Sequence, residues 1–108
     1  MRLDDYRAEL RQCLIDADVP KTLREGLIEY FAVRRPTGSF LRAVLENNLR
    51  DAALRADPVN RFCLGELALV LYHCCPAAAW GSPWAVGAWL AATEPVDLRS
   101  PPPFTEGD

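Results

Sequence analysis

Apolar residues recur at spacings of three and four along most of the chain, and no stretch keeps the strict alternation of a half-buried strand, so the sequence predicts an all-α fold up to about residue 93. Leu3, Tyr6, Leu10, Cys13, Leu14 and Ala17 form one stripe of a first helix. That helix is expected to stop near Val19, because a residue before proline is biased out of the helical region. Thr22 followed by Glu25 has the spacing of a capping box and predicts a second helix with an apolar face of Leu23, Leu27, Tyr30 and Phe31, closing by Arg35-Pro36.

A third helix should begin after Thr37-Gly38-Ser39 and run unbroken to about Ala56. Asp57-Pro58 supplies an N-cap and a first-turn proline for a fourth, which Pro76 ends. The fourth carries Val59, Cys63, Leu64, Leu67, Val70, Leu71 and Cys74 on one side, with Phe62, Leu69 and Tyr72 elsewhere. It is therefore expected at the centre of the fold. Ser82-Pro83 repeats the cap-and-proline pattern for a short fifth helix over 83–92, with Val86, Trp89 and Leu90 turned inward. The expectation is a compact five-helix single domain over 1–93, followed from Glu94 by a Pro-rich mobile tail, EPVDLRSPPPFTEGD.

Placing 36–49, PTGSFLRAVLENNL, on a continuous helical wheel separates two adjacent asparagines. Asn48 falls inside the apolar arc of Leu41, Val44, Leu45, Leu49 and Ala52, and Asn47 lies at its margin. A buried amide needs hydrogen-bond partners, so Asn48 is expected to pin a turn, at 36–39 or at 79–82, with Asp51 joining it as a second structural polar residue. Asn47 is the better placed of the two to meet a partner. Arg42, Glu46 and Arg50 should form an i, i+4 ladder on the solvent side of the same helix.

Composition narrows the function classes. The 108 residues are half hydrophobic and a quarter charged, as in a folded domain rather than a disordered chain. With 12 basic against 15 acidic residues the net charge is -3, so no global positive field gathers phosphate backbones. The longest apolar-rich stretch, 62–75, contains Glu66 and is too short for a bilayer span of about 20 residues. The N-terminus MRLDDYRAEL lacks the apolar core of a signal peptide, which points to a cytoplasmic protein. In that setting Cys13, Cys63, Cys74 and Cys75 are expected as reduced, core-type thiols.

The motifs for chemistry are sparse. His73, Cys74 and Cys75 are zinc-ligand types, but successive helical residues point about 100° apart and no spaced Cys-x-x-Cys completes a set, so no metal is expected. The single histidine has no nucleophile elbow beside it, and there is no Gly-rich phosphate loop. Asp4 and Asp5 complement a helix N-terminus. Neither a catalytic residue nor a cofactor is expected. Arg34, Arg35 and Arg42, clustered around the second turn, suit an acidic protein surface or a nucleic acid. Of the three tryptophans, Trp84 sits away from Val86 and Trp89 on the wheel; a partner or the Pro-rich tail would equally account for its exposure. The candidate partner-binding set is Arg34, Arg35, Arg42, Asn47 and Trp84. An apolar face left open on the second or fifth helix would suit a two-fold homodimer.

Two segments, GSFLRAVLENNLRDAALRAD and PAAAWGSPWAVGAWL, resemble those of a group of small proteins found in phage, prophage and plasmid-type accessory regions, over roughly residues 20–92. The resemblance implies a mobile-element accessory protein, a class that includes inhibitors of host defence such as anti-CRISPR proteins. It brings no active-site motif to transfer. The expected function is therefore non-enzymatic binding of a host protein or complex, with a small DNA- or RNA-associated regulator using the arginines as the alternative.

Overall fold

A computed structural model of the chain describes residues 2–98. Among them the fold is all-helical, with 71% helix, and it has seven α-helices rather than the expected five. They are α1 Leu3–Asp16, α2 Lys21–Val33, α3 Ser39–Leu45, α4 Leu49–Arg55, α5 Pro58–Phe62, α6 Leu64–Cys74 and α7 Pro83–Ala91, with a 3-10 turn at Ala77–Ala79.

The helices α1 and α2 form an antiparallel hairpin. Arg7 pairs with Glu29 at 3.0 Å and Arg11 with Glu25 at 3.1 Å, so a step forward along α1 is matched by an equal step back along α2. Tyr6, Leu10 and Leu14 of α1 are buried against Leu23, Leu27, Ile28, Tyr30 and Phe31 of α2. Asp18 turns the chain with a left-handed backbone, φ 57°, and Val19 is buried before Pro20 restarts it. The expected capping box does not form: Pro20 occupies the N-cap of α2 with no side-chain cap, and Glu25 is instead paired with Arg11.

Both extra helices come from breaks inside expected ones. The third ends at Leu45 because Asn47 adopts the left-handed conformation, φ 59°, and Asn48 becomes the N-cap of a new helix. Asparagine tolerates that backbone region better than most residues, and its side chain competes for nearby backbone groups. The fourth breaks at Cys63, whose backbone N–H returns to the Asn60 carbonyl at 3.2 Å before α6 begins. The Asp57 cap on Asn60 and the Pro83 start with its Ser82 cap on Ala85 both occur where the sequence places them.

Those breaks also relocate the centre. α6 was expected to be surrounded, but only Leu67, Val70 and Leu71 are buried, while Gly65, Glu66, Ala68, Leu69, Tyr72 and His73 are exposed. The central helix is α2, with Leu27, Ile28, Tyr30 and Phe31 all at 1% exposure or less. Residues 94–98, expected as the start of the tail, lie along the core: Val96 is buried and Leu98 packs against the hydrophobic cluster. The remainder of the expected tail, 99–108, lies outside the described residues. No described helix is long and apolar enough to cross a membrane.

Candidate protein-contact surface

The second turn, at 34–38, brings the candidate arginines onto the surface in different states. α2 ends when Arg34 takes a left-handed backbone, φ 59° and ψ 35°, a position usually given to glycine. Its side chain then turns across the fold. The guanidinium lies 4.1 Å over the Trp89 ring, with Nη1 donating to the Trp89 carbonyl at 3.0 Å and Nε to the Glu94 carbonyl at 3.2 Å. Trp89 in turn donates its indole N–H to the Tyr30 carbonyl at 2.8 Å, and the Tyr30 hydroxyl donates to the Ala79 carbonyl at 2.6 Å.

These bonds join α2, the 3-10 turn, α7 and the segment at 94–98. Arg34 is thus engaged across the fold, with backbone partners 55 and 60 positions along the chain. Burial pushes the Tyr30 phenol up to about 12; Arg42 and Arg34 pull it down and Glu46 pushes it up, all by smaller amounts. Beside Arg34, a groove of about 470 Å³ runs between the ends of α2 and α7 and the segment at 92–98, with Leu3 closing one side.

Arg35 projects outward, with its side chain 66% exposed and Nη1 3.7 Å from Glu29, which also receives Arg7. Arg42 holds Glu46 at 2.8 Å, as its i, i+4 spacing indicates. The expected ladder stops there. Arg50 belongs to α4, beyond the break at Asn47, and does not continue the Arg42-Glu46 row.

Asn48 requires a correction. It is exposed, not buried, and it pins neither of the turns proposed for it. Its Oδ1 accepts from the Asp51 backbone N–H and its Nδ2 donates to the Asp51 carboxylate, both at 3.1 Å, so Asn48 and Asp51 share a structural job at the start of α4. The wheel failed because it assumed a continuous helix through the asparagines. The turn at 79–82 is pinned instead by the Leu45 carbonyl, freed by the end of α3, which accepts the Gly81 N–H at 2.7 Å. Asn47 is exposed on the turn between α3 and α4, at the rim of a cleft of about 90 Å³ that Trp80 also lines. The indole Nε1 of Trp80 is buried without a hydrogen-bond partner among the described residues.

Trp84 stands 83% exposed in the first turn of α7. Sequence reasoning missed other exposed apolar side chains: Phe62 at 88%, Leu54, Leu49, Val59 and Leu69. The wheels had assigned Leu49 and Val59 to inward arcs, and the helix breaks turn both away from the core. A weak signal was present for Phe62 and Leu69, which already lay off the apolar stripe of the fourth expected helix. Among the described residues no group of three or more His, Cys, Asp or Glu is placed to hold a metal ion.

No protein-family model, curated protein or solved structure matches this chain.

Proposed function

We propose that the chain is a non-enzymatic protein that acts by binding another protein, as an accessory factor of a phage or mobile element, with inhibition of a host defence system as its most specific form. The observation that carries the binding reading is Trp84, a large amphipathic side chain almost fully in solvent on a helix held at both ends. Ser82 caps its N-terminus, and Arg34 and Tyr30 grip Trp89 near its C-terminus. A tryptophan on a fixed helix loses little conformational freedom on association and is favoured at interface hot spots. Exposed Phe62, Arg35 and Asn47 offer further apolar and polar contacts. The mobile-element context rests on the resemblance of the two segments quoted above.

The nucleic-acid reading has less in its favour. Arg35 and Arg42 each have a carboxylate partner, Arg34 is occupied inside the fold, and the net charge is -3. Affinity capture from the native host tests the proposal, with Trp84→Ala alongside the wild-type chain. One stoichiometric protein retained by the wild type and lost by the variant supports it. Recovery of nucleic acid alone, in a salt-sensitive complex, overturns it.

A further inference from the structure

We infer that α6 is the contact helix of a two-fold dimer, pairing antiparallel with α6 of a second copy of this chain. Only one side of α6 is used inside the fold, where Leu67, Val70 and Leu71 are buried. The other side is nearly as apolar. Gly65, Ala68, Leu69 and Tyr72 recur there at the i, i+3, i+4, i+7 spacing of a single stripe, and all four are exposed, Leu69 at 60% and Tyr72 at 55%. A helix apolar around most of its circumference is normally covered on both sides, and a solvated stripe of this kind marks an interface.

The face continues beyond the stripe. Leu49 of α4, more exposed than either, lines the cleft of about 90 Å³ together with Ala68, and exposed Phe62 stands two residues before α6 begins. At about 200 Å² for a whole aromatic side chain, Phe62 and Tyr72 together leave roughly 250–300 Å² of side chain in water. With Leu49, Leu69, Gly65 and Ala68 the face is on the order of 500–600 Å² per copy. A pair therefore buries about 1,000–1,200 Å², the lower end of specific interfaces. That area suits a reversible dimer rather than an obligate one.

The occupant is a second copy because the stripe complements itself. In an isologous contact, whatever residue i meets on the other copy meets i in return. With the helices antiparallel and the two-fold axis beside Leu69, that side chain packs on its own counterpart. Tyr72, three residues beyond the axis, then lies over Gly65 of the other copy, four residues before it. Gly65 has no Cβ, and beyond its own stretch of helix nothing lies within 4 Å of where one would stand, so the ring has an open seat. Charge fits the same register. Glu66 and His73 are exposed on one flank of the stripe, three residues before Leu69 and four after it. The two-fold axis brings that flank against itself, so each carboxylate meets an imidazole. A parallel pairing of the same stripes would instead set Glu66 beside Glu66 and Tyr72 against Tyr72.

Sedimentation velocity of the full chain, from about 5 to about 500 μM, tests this. The expected mass climbs with concentration from 12.0 kDa towards twice that value. Leu69→Glu places two carboxylates at the axis and raises the dimer Kd at least about tenfold, as does Leu69→Lys; mixing the two variants restores the dimer, because unlike charges then meet. Gly65→Val fills the seat of the Tyr72 ring and weakens the dimer at least about tenfold with the helical circular dichroism unchanged. That variant decides the matter if a Leu69 substitution does not fold. Trp84→Ala dimerises as the wild type does, which keeps the α6 contact distinct from the binding surface proposed above. A chain that stays at 12.0 kDa throughout leaves the face to another protein and overturns the proposal. So do a dimer that survives Leu69→Glu, a mixture that stays monomeric, or growth past the dimer into larger assemblies.

Discussion

Replacing Arg34 separates a residue that holds the fold from one that greets a partner. In Arg34→Ala the chain loses the stacking of the guanidinium on Trp89, about 0.5–2 kcal/mol. It also loses two charged hydrogen bonds to the Trp89 and Glu94 carbonyls, each worth roughly 1.5–3 kcal/mol when buried. The bond to Glu94 is exposed and the other only part-buried, so both fall well below that range. A total of about 2–3 kcal/mol is expected. For a domain of this size each kcal/mol moves Tm by about 4–8 °C, so Arg34→Ala should melt at least roughly 8 °C below the wild type. Arg34→Gly loses the same contacts but relieves the left-handed backbone, recovering about 1 kcal/mol relative to alanine. Arg34→Lys keeps the charge, yet one ammonium cannot reproduce the planar fork that reaches both carbonyls while stacking on the ring, so it should resemble alanine more than arginine. Thermal melts followed by tryptophan fluorescence read the series, because Trp89 lies directly beneath the change. An Arg34→Ala protein that melts within about 2 °C of the wild type and merely loses its partner would refute the assignment to the fold.

The other expectations are simpler. Asn48→Ala removes the cap on Asp51 and should cost about 1 kcal/mol, read as a lower midpoint in urea with an unchanged slope; a neutral result would mean the cap contributes nothing. Phe62→Ser and Trp84→Ala should each change stability by no more than about 0.5 kcal/mol, since both side chains are more than four-fifths exposed. Losing partner capture with that stability intact marks an interface. In alkaline titration the phenols of Tyr6 and Tyr30, raised from 10.0 to about 12 chiefly by burial, ionise later in the folded than in the unfolded chain. Their contribution to stability is therefore complete below pH 10 and is lost as pH rises toward 12. Phenolate absorbance against pH checks this, with Tyr6→Phe and Tyr30→Phe dividing the signal.

Legibility of the site tracks how local each cause is. Exposed Trp84 follows from one turn of α7, whose start is set by Ser82-Pro83, and the Arg42-Glu46 pair needs little more than one turn of helix. The role of Arg34 could not be read that way. Its partners lie 55 and 60 positions along the chain, and nothing in the local pattern links the end of α2 with Trp89 or Glu94. Asn48 differs for another reason: a polar residue inside an apolar arc suggests a buried amide only if the helix is continuous, whereas two adjacent asparagines signal a helix end.

By itself the sequence determined the helical class, the starts of α5 and α7, and the inward faces of α1 and α2. Those features depend on period, capping and proline, which act within a turn or two of chain. Tertiary structure decided which helix is central, where the third and fourth expected helices break, and which apolar residues remain in solvent. A break at Asn47 or Cys63 costs a few backbone hydrogen bonds locally, and what balances that cost is packing against distant residues. At the first break the Leu45 carbonyl, left free by the end of α3, accepts the Gly81 N–H, a bond that exists only once the chain has folded back on itself.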